Sequence, residues 1–440
     1  MSVRNELTDL LALVRHVVRW IALGAVVGVL AGLSSFVFLD VLDRITRYRL
    51  GHGWLLWLLP AAGLAIGATY QYIGGRTAQG SELLIDQIHR PAPLSDVGQW
   101  LPRRMAPISL VGAWITHLFG GSAGREGTAI QMSASLTDNV GRILRLDDDE
   151  RRILLIASIG GGFGAVFGVP LAGTVFALEV PAIGRLRYEA LLPALTASLV
   201  GDRIVGALGY HHAARPQLTL VVTWLVIAKV VAIGIACGLT GAAFAGLVHT
   251  VKGFITTRLP FAPLRPALGG AAVVGLTALV GRDYLGLSLP LLDRALDGHH
   301  ATFAVFALKI IFTVITLGSG FPGGEVTPLF VIGATLGAAL AAPLHLPVAV
   351  AASVGFVAVF AAAANTPLAC TIMGIELFGS GPAVPLIVGC VIAYLFSSHR
   401  GIYGTQRIHA AKGSSPLDGR PSLHDHATQR RARRPTPRQD

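Results

Sequence analysis

From Trp20 onward the chain is a succession of apolar segments, and that pattern admits few folds. Residues 20–39 and 54–72 each approach the ~20 residues that a helix needs to cross the hydrocarbon core of a bilayer. Further apolar segments cover 108–119, 153–167, 171–180, 190–205, 218–247 and 267–280. A second set covers 303–317, 329–341, 348–364, 368–378 and 384–396. In lipid every backbone N–H and C=O has to be satisfied inside the protein, so these segments read as helices. Only 13% of the 440 residues are charged, against about a quarter in ordinary soluble domains. The expectation is an all-α integral membrane protein. Several segments fall well short of a full span, and the chain is rich in Gly (53) and Pro (24), which predicts partial and broken helices.

The net charge of +11 does not point to nucleic acid, because the basic residues sit mostly in loops and at the ends. The tail 411–440 alone holds Lys412, Arg420, Arg430, Arg431, Arg433, Arg434 and Arg438, and by the positive-inside rule it is expected in the cytoplasm. In residues 1–19 the apolar Leu7, Leu10, Leu11, Val14 and Val18 recur at helical steps. They predict either a short interfacial helix on the cytoplasmic surface or the solvated first turns of the next span. No cleavage site follows the first apolar segment, so no cleaved leader is expected. Cys237, Cys370 and Cys390 lack metal-ligand spacing and read as small packing residues. No cofactor loop or nucleophile–base pair stands out, so neither cofactor nor metal nor enzymatic chemistry is expected. His211, His212, His299 and His300 read as loop histidines, and Lys229 and Lys309, inside apolar segments, as side chains that snorkel or neutralise a carboxylate.

One stretch departs from this apolar background. Residues 120–132, GGSAGREGTAIQM, set Arg125 and Glu126 between glycines just before a new helix. Consecutive N–H groups at a helix start attract anions, and an ionisable residue at membrane depth usually faces a pathway. A salt bridge between Arg125 and Glu126 is a poor alternative, since adjacent side chains on a helix do not face each other. The stretch has a counterpart. Gly121, Ser122 and Gly127 recur as Gly318, Ser319 and Gly324, and Pro170, Leu171, Ala172, Thr174 and Glu179 as Pro367, Leu368, Ala369, Thr371 and Glu376. Both blocks share a shift of 197, which predicts an internal duplication, 20–210 and 211–410.

Together these motifs resemble the CLC family of chloride channels and anion/proton exchangers, over roughly residues 15–412. The resemblance rests on Gly124, Arg125, Glu126 and Gly127, on Gly318–Gly320 with Gly323 and Gly324, on the paired Pro-Leu-Ala segments, and on Tyr403 near the end. It implies an inverted repeat of many helices, several of them partial, in a homodimer with one anion pathway per subunit. It also implies that Glu126 is a gating glutamate competing with anions for N–H groups around Gly124, Arg125 and Gly127. A soluble regulatory pair, carried by some members after the membrane domain, is not expected here.

The second block, GSGFPGGEVTPLF, looks like the fluoride/proton-exchanging branch, because Glu325, Val326 and Thr327 stand where chloride-type members have apolar residues. Glu325 lies beside the expected anion site, and the Thr327 hydroxyl is a donor suited to a strongly hydrated anion. An alternative for Glu325 is a plain capping or pairing role at a helix end. GREGT in place of the common GREGP agrees with the fluoride branch. Ser81 pulls the other way, since chloride-type members hold the anion with a serine there, and Glu82 follows where the fluoride branch usually has Asn. Val180 occupies the position of the inner glutamate of chloride/proton exchangers. The expectation is a fluoride/proton antiporter of the inner (plasma) membrane, with both termini cytoplasmic. A chloride channel or chloride/proton antiporter is the alternative. Its partners would be fluoride or chloride, protons, membrane lipid and a second copy of the chain.

Overall fold

Glycines and prolines divide the apolar sequence into helices of very unequal length. We describe the chain from a computed structural model that covers residues 3–89, 100–413 and 419–432, side chains of 3–8 and 430–432 excepted. The first helix, α1 (Val3–Gly51), runs unbroken through both the expected interfacial segment and the expected loop after residue 39. No proline interrupts it, and Arg44 pairs with Asp40 one turn back at 2.9 Å. The expected boundary at 19/20 is therefore not a structural break. The second span is irregular: a 3-10 turn (Gly53–Leu58), α2 (Leu59–Thr69), then π and 3-10 turns leading to Gln79. After α3 (Ser81–His89), residues 90–99 lie outside the described residues.

The first half continues with α4 (Met105–Leu118), α5 (Glu126–Leu144), α6 (Asp148–Phe167), α7 (Pro170–Glu179) and α8 (Leu191–Ala207). The second half holds α9 (Trp224–Arg258), α10 (Leu264–Val280), α11 (Leu289–Leu296), α12 (Phe303–Gly318) and α13 (Val326–Leu344). It ends with α14 (Val348–Ala364), α15 (Pro367–Phe378) and α16 (Ala383–Phe396). Among the described residues five helices are long and apolar enough to cross a membrane. Residues 218–223 are not helical, because the Thr223 hydroxyl caps α9 by accepting from the N–H of Val226 (3.3 Å). A two-residue parallel pairing of β1 (Ala182–Ile183) with β2 (Arg407–Ile408) ties the end of the second half to the first.

The duplication is visible in the helix ends, in a register that differs from the sequence expectation. Helices α5 and α13 start and stop 200 residues apart, whereas α7 and α15 start 197 apart. The difference falls in the intervening helix, 20 residues in α6 and 17 in α14. Gly120 therefore corresponds to Gly320, both with positive φ (+91° and +103°), and Arg125 to Glu325. The shift of 197 for Gly121, Ser122 and Gly127 is a coincidence, because a glycine-rich stretch matches itself in several registers while helix ends do not.

Two reciprocal contacts mark the two-fold relation between the halves. The N–H of Gly124 donates to the carbonyl of Gly324 (2.6 Å) and the N–H of Gly324 to that of Gly124 (2.9 Å). The Glu179 carboxylate accepts from the N–H groups of Leu368 and Ala369, and the Glu376 carboxylate from those of Leu171 and Ala172. Each acid thus serves the N-terminus of the other half's helix, where negative charge is favourable. At the centre, α13 and α14 meet through glycines: a Cβ on Gly333 would lie 2.1 Å from the carbonyl oxygen of Gly355, and the reverse holds too. Such close approach is how small residues hold helices together without a large hydrophobic driving force.

Candidate functional site

The loop before α5 is fixed from behind, and the loop before α13 is tied to it by the backbone pair of Gly124 and Gly324. Lys309, fully buried on α12, donates to the Ser122 hydroxyl (2.9 Å), the Gly286 carbonyl (2.9 Å) and the Ser288 hydroxyl (2.8 Å). The Ser122 N–H donates to Thr316 Oγ1 (3.1 Å), and its hydroxyl shares a hydrogen bond with that of Thr313. Lys309 thus neither snorkels nor meets a carboxylate, as the sequence suggested; it binds loop oxygens because the segment 284–288 folds over it. Lys229 does reach a helix end, donating to the His345 carbonyl (3.1 Å).

These fixed loops bring the starts of α5 and α13 face to face, with the Glu126 side chain, wholly buried, between them. Its carboxylate accepts from the N–H of Arg125 (2.9 Å), the N–H of Val326 (2.5 Å) and the hydroxyl of Thr327 (2.9 Å). Two of the three donors belong to the other half of the chain. Glycine is required around it: a Cβ on Gly324 would sit 2.2 Å from Glu126 Oε1, and one on Gly124 2.5 Å away. Gly127 lies against the backbone of Gly324, its Cβ position 3.1 Å from that Cα. The Arg125 guanidinium turns away, donating to the Tyr210 hydroxyl (3.3 Å) and lying over the Phe167 ring, so it forms no salt bridge with Glu126.

Beside the start of α13 opens a cavity of about 450 Å³, lined among others by Ser81, Tyr403 and Glu325. Glu325 stands at the N-cap of α13 without using its side chain as a cap. The simple capping role is not realised: the Glu325 carboxylate takes no N–H of α13, and the third helical residue, Pro328, has none to offer. The Ser81 hydroxyl accepts from Gln131 Nε2 (3.4 Å), and Tyr403 is almost fully buried in the wall. Of the expected site residues, Gly124, Arg125, Gly127, Val326 and Thr327 adjoin Glu126, whereas Glu325, Ser81 and Tyr403 line the cavity.

Some neighbours were missed. The sequence showed that Glu179 and Glu376 match, yet not that each caps the opposite helix. Asp138, buried on α5, pairs with the buried Arg151 (2.7 Å) and accepts from the N–H of Leu101 (2.8 Å), while Arg142 and Arg151 both lie over Trp100. Asp147 caps α6 by accepting from the N–H of Glu150, and Asp148, Asp149 and Glu150 follow in its first turn, whereas Arg151 turns into the protein. The basic tail is also more than a charged end. In α17 (Leu423–Ala432), Leu423 is buried and His424 lies 3.6 Å from Glu82, on the cavity wall. No signal beyond a lone apolar residue at 423 marked this. The three cysteines are buried, and among the described residues no cluster of metal-ligating side chains forms.

Broken helices of two inverted halves that meet N-terminus to N-terminus at a buried carboxylate define a helical membrane transporter of the anion-conducting kind. The sequence profile described as "Voltage gated chloride channel" matches residues 62–398, and the chain belongs to this family, the CLC proteins. It is 44% identical over 431 residues to the "Chloride/fluoride channel protein" of Pseudomonas syringae pv. tomato, covering 96% of this chain and 93% of that one. Among solved structures it resembles a "CLC-type fluoride/proton antiporter" with a TM-score of 0.85 and 34% identity, over 89% of this chain and 98% of the other. A "slow cyanobacterial Cl-/H+ antiporter" shares the fold (TM-score 0.74, 22% identity, 86% and 94% covered). The chain is a CLC anion transporter, and members of this family move ions rather than catalyse reactions.

Proposed function

We propose that the chain is a fluoride/proton antiporter that exports fluoride, with Glu126 as the coupled gate. The observation that carries this reading is the Glu126 carboxylate bridging Val326 N–H and Thr327 Oγ1, so that an anionic group fills the junction of the two helix starts. Protonation removes its charge and frees those donors, together with the N–H of Arg125, for a competing anion. Gly124 and Gly127 keep the backbone close enough for this exchange. Fluoride is favoured over chloride because it is strongly hydrated, and a hydroxyl donor at Thr327 with a carboxylic acid at Glu325 can replace its water. Ser81 and Tyr403 line the lower part of the path.

The cavity side is assigned to the cytoplasm, since the basic tail and its His424 lie on that side; both termini then follow the positive-inside rule in the inner membrane. The two repeats, 20–210 and 211–410, act as one pathway, and a homodimer with one pathway per subunit completes the assembly. A chloride pathway is the second reading, supported by Ser81 in the cavity wall.

The test is efflux from proteoliposomes with fluoride, chloride and pH recorded together. Fluoride flux above chloride flux, with protons driven against their gradient, supports the antiporter. Chloride flux equal to or above fluoride flux, without proton movement, refutes it and leaves a chloride channel.

A further inference from the structure

A proton that passes Glu126 needs an acceptor on the cytoplasmic side, and the position of the inner glutamate of chloride/proton exchangers is here Val180, an apolar side chain in the core. Glu179 and Glu376 each accept two backbone N–H groups and cap helices. Among the described residues, only Glu325 and Glu82 bring carboxylates to the wall of the 450 Å³ cavity.

Glu82 stands in the first turn of α3, directly after Ser81. It is held without being used up: Oε1 accepts from the N–H of Gly404 (3.2 Å) and lies 3.6 Å from His424 Nε2. The two side chains form a step toward water, with Glu82 24% exposed and His424 57%. The charged and titratable groups that face this step are His249 and Lys252 on α9 and Asp425 beside His424 on α17, with Arg265 on α10 and Glu325 at the start of α13 elsewhere on the cavity wall. The His249 and His424 rings stand edge to face with centroids 5.7 Å apart. Burial opposes the charge on Glu82, but His424 with Lys252 and His249 outweighs it and holds the carboxyl below its ordinary value, so it stands ionised and ready to accept; an imidazole beside it exchanges protons near neutral pH.

We propose that Glu82, relayed by His424, is the proton port of the cytoplasmic mouth of the pathway. The proton leaves the Glu126 carboxylic acid, passes Glu325 and cavity water to the Glu82 carboxylate, moves to the imidazole of His424 and is released to bulk water. Each donor returns to its starting charge as fluoride moves the other way. A cavity of this size lined with polar groups has room for the connecting water. The assignment rests on the antiporter reading and names the residue that completes it.

The experiment measures fluoride and proton fluxes in the same vesicles for the wild-type chain, Glu82→Gln and His424→Gln. In Glu82→Gln the ratio of proton to fluoride flux is expected to fall roughly tenfold or more, as loss of a positioned proton-transfer group does. In His424→Gln the dependence of proton flux on internal pH is expected to shift. If Glu82 only tethers Gly404 and the tail, both fluxes fall together at an unchanged ratio, and the port is overturned. An unaltered ratio with unaltered rates overturns it equally. Should Glu82→Gln fail to assemble on size-exclusion chromatography, His424→Gln carries the test, and an unshifted pH profile overturns the proposal. Absence of fluoride-driven proton movement in the wild-type chain would instead refute the antiporter reading itself.

Discussion

Replacing Glu126 by Gln tests whether the carboxylate acts as an anion held in place of the transported one. Three donors face it: the N–H groups of Arg125 and Val326 and the hydroxyl of Thr327. A hydrogen bond to a charged acceptor contributes about 1.5–3 kcal/mol and one to a neutral acceptor about 0.5–1.5 kcal/mol. The neutral amide therefore gives up roughly 1 kcal/mol at each donor, or ~3 kcal/mol over the three. A competing anion should bind on the order of a hundredfold more tightly to the variant near neutral pH. In the wild-type chain anion binding should also strengthen as pH falls, since the protonated acid leaves its donors; in the variant that slope should vanish. Isothermal titration of fluoride into the purified protein across a pH series measures both. An affinity equal to wild type with the same pH slope would show that the carboxylate does not compete with the anion, and the gating argument would fail.

Three further outcomes follow from neighbouring geometry. Gly324→Ala puts a methyl group 2.2 Å from Glu126 Oε1, so the carboxylate has to leave the junction; flux should lose its pH dependence or the protein its thermal stability, and wild-type behaviour in both refutes the packing argument. Asp138→Ala strands the buried Arg151 charge and should cost about 3–5 kcal/mol, read as a clear fall in melting temperature, whereas a change confined to transport would contradict a structural role. The Glu82 carboxylate beside it raises the pKa of His424 above its usual value. A raised pKa means that the contribution of this pair to docking α17 is full below about 6.5, the ordinary histidine value, and is lost as pH rises through the elevated one. Hydrogen exchange of residues 419–432 should therefore quicken on that rise; equal protection throughout would show that His424 does not hold the tail.

The sequence by itself settled the solvent and the architecture. Apolar segments with few charges require internally bonded helices in lipid, and their short, Gly- and Pro-interrupted lengths require partial spans. It also marked residues of the site, since Glu126, Glu325 and Thr327 are polar groups beside glycines in an apolar chain. What it misjudged depended on register and on distance. Residues 40–51 carry arginines like a loop yet continue α1, because nothing there breaks a helix. The glycine block fitted a shift of 197 while the helix ends fix 200, since small residues carry little register information. Only the tertiary structure could show that two of the three donors on Glu126 come from residues 326 and 327, that Glu179 and Glu376 cap each other's helix, or that His424 reaches Glu82. These contacts join residues about 190 to 340 positions apart, and no local pattern encodes which charged or polar group meets which across such a separation. Helices form from local preference and from the demands of lipid; the site forms only when two halves of the chain pack with their broken ends together.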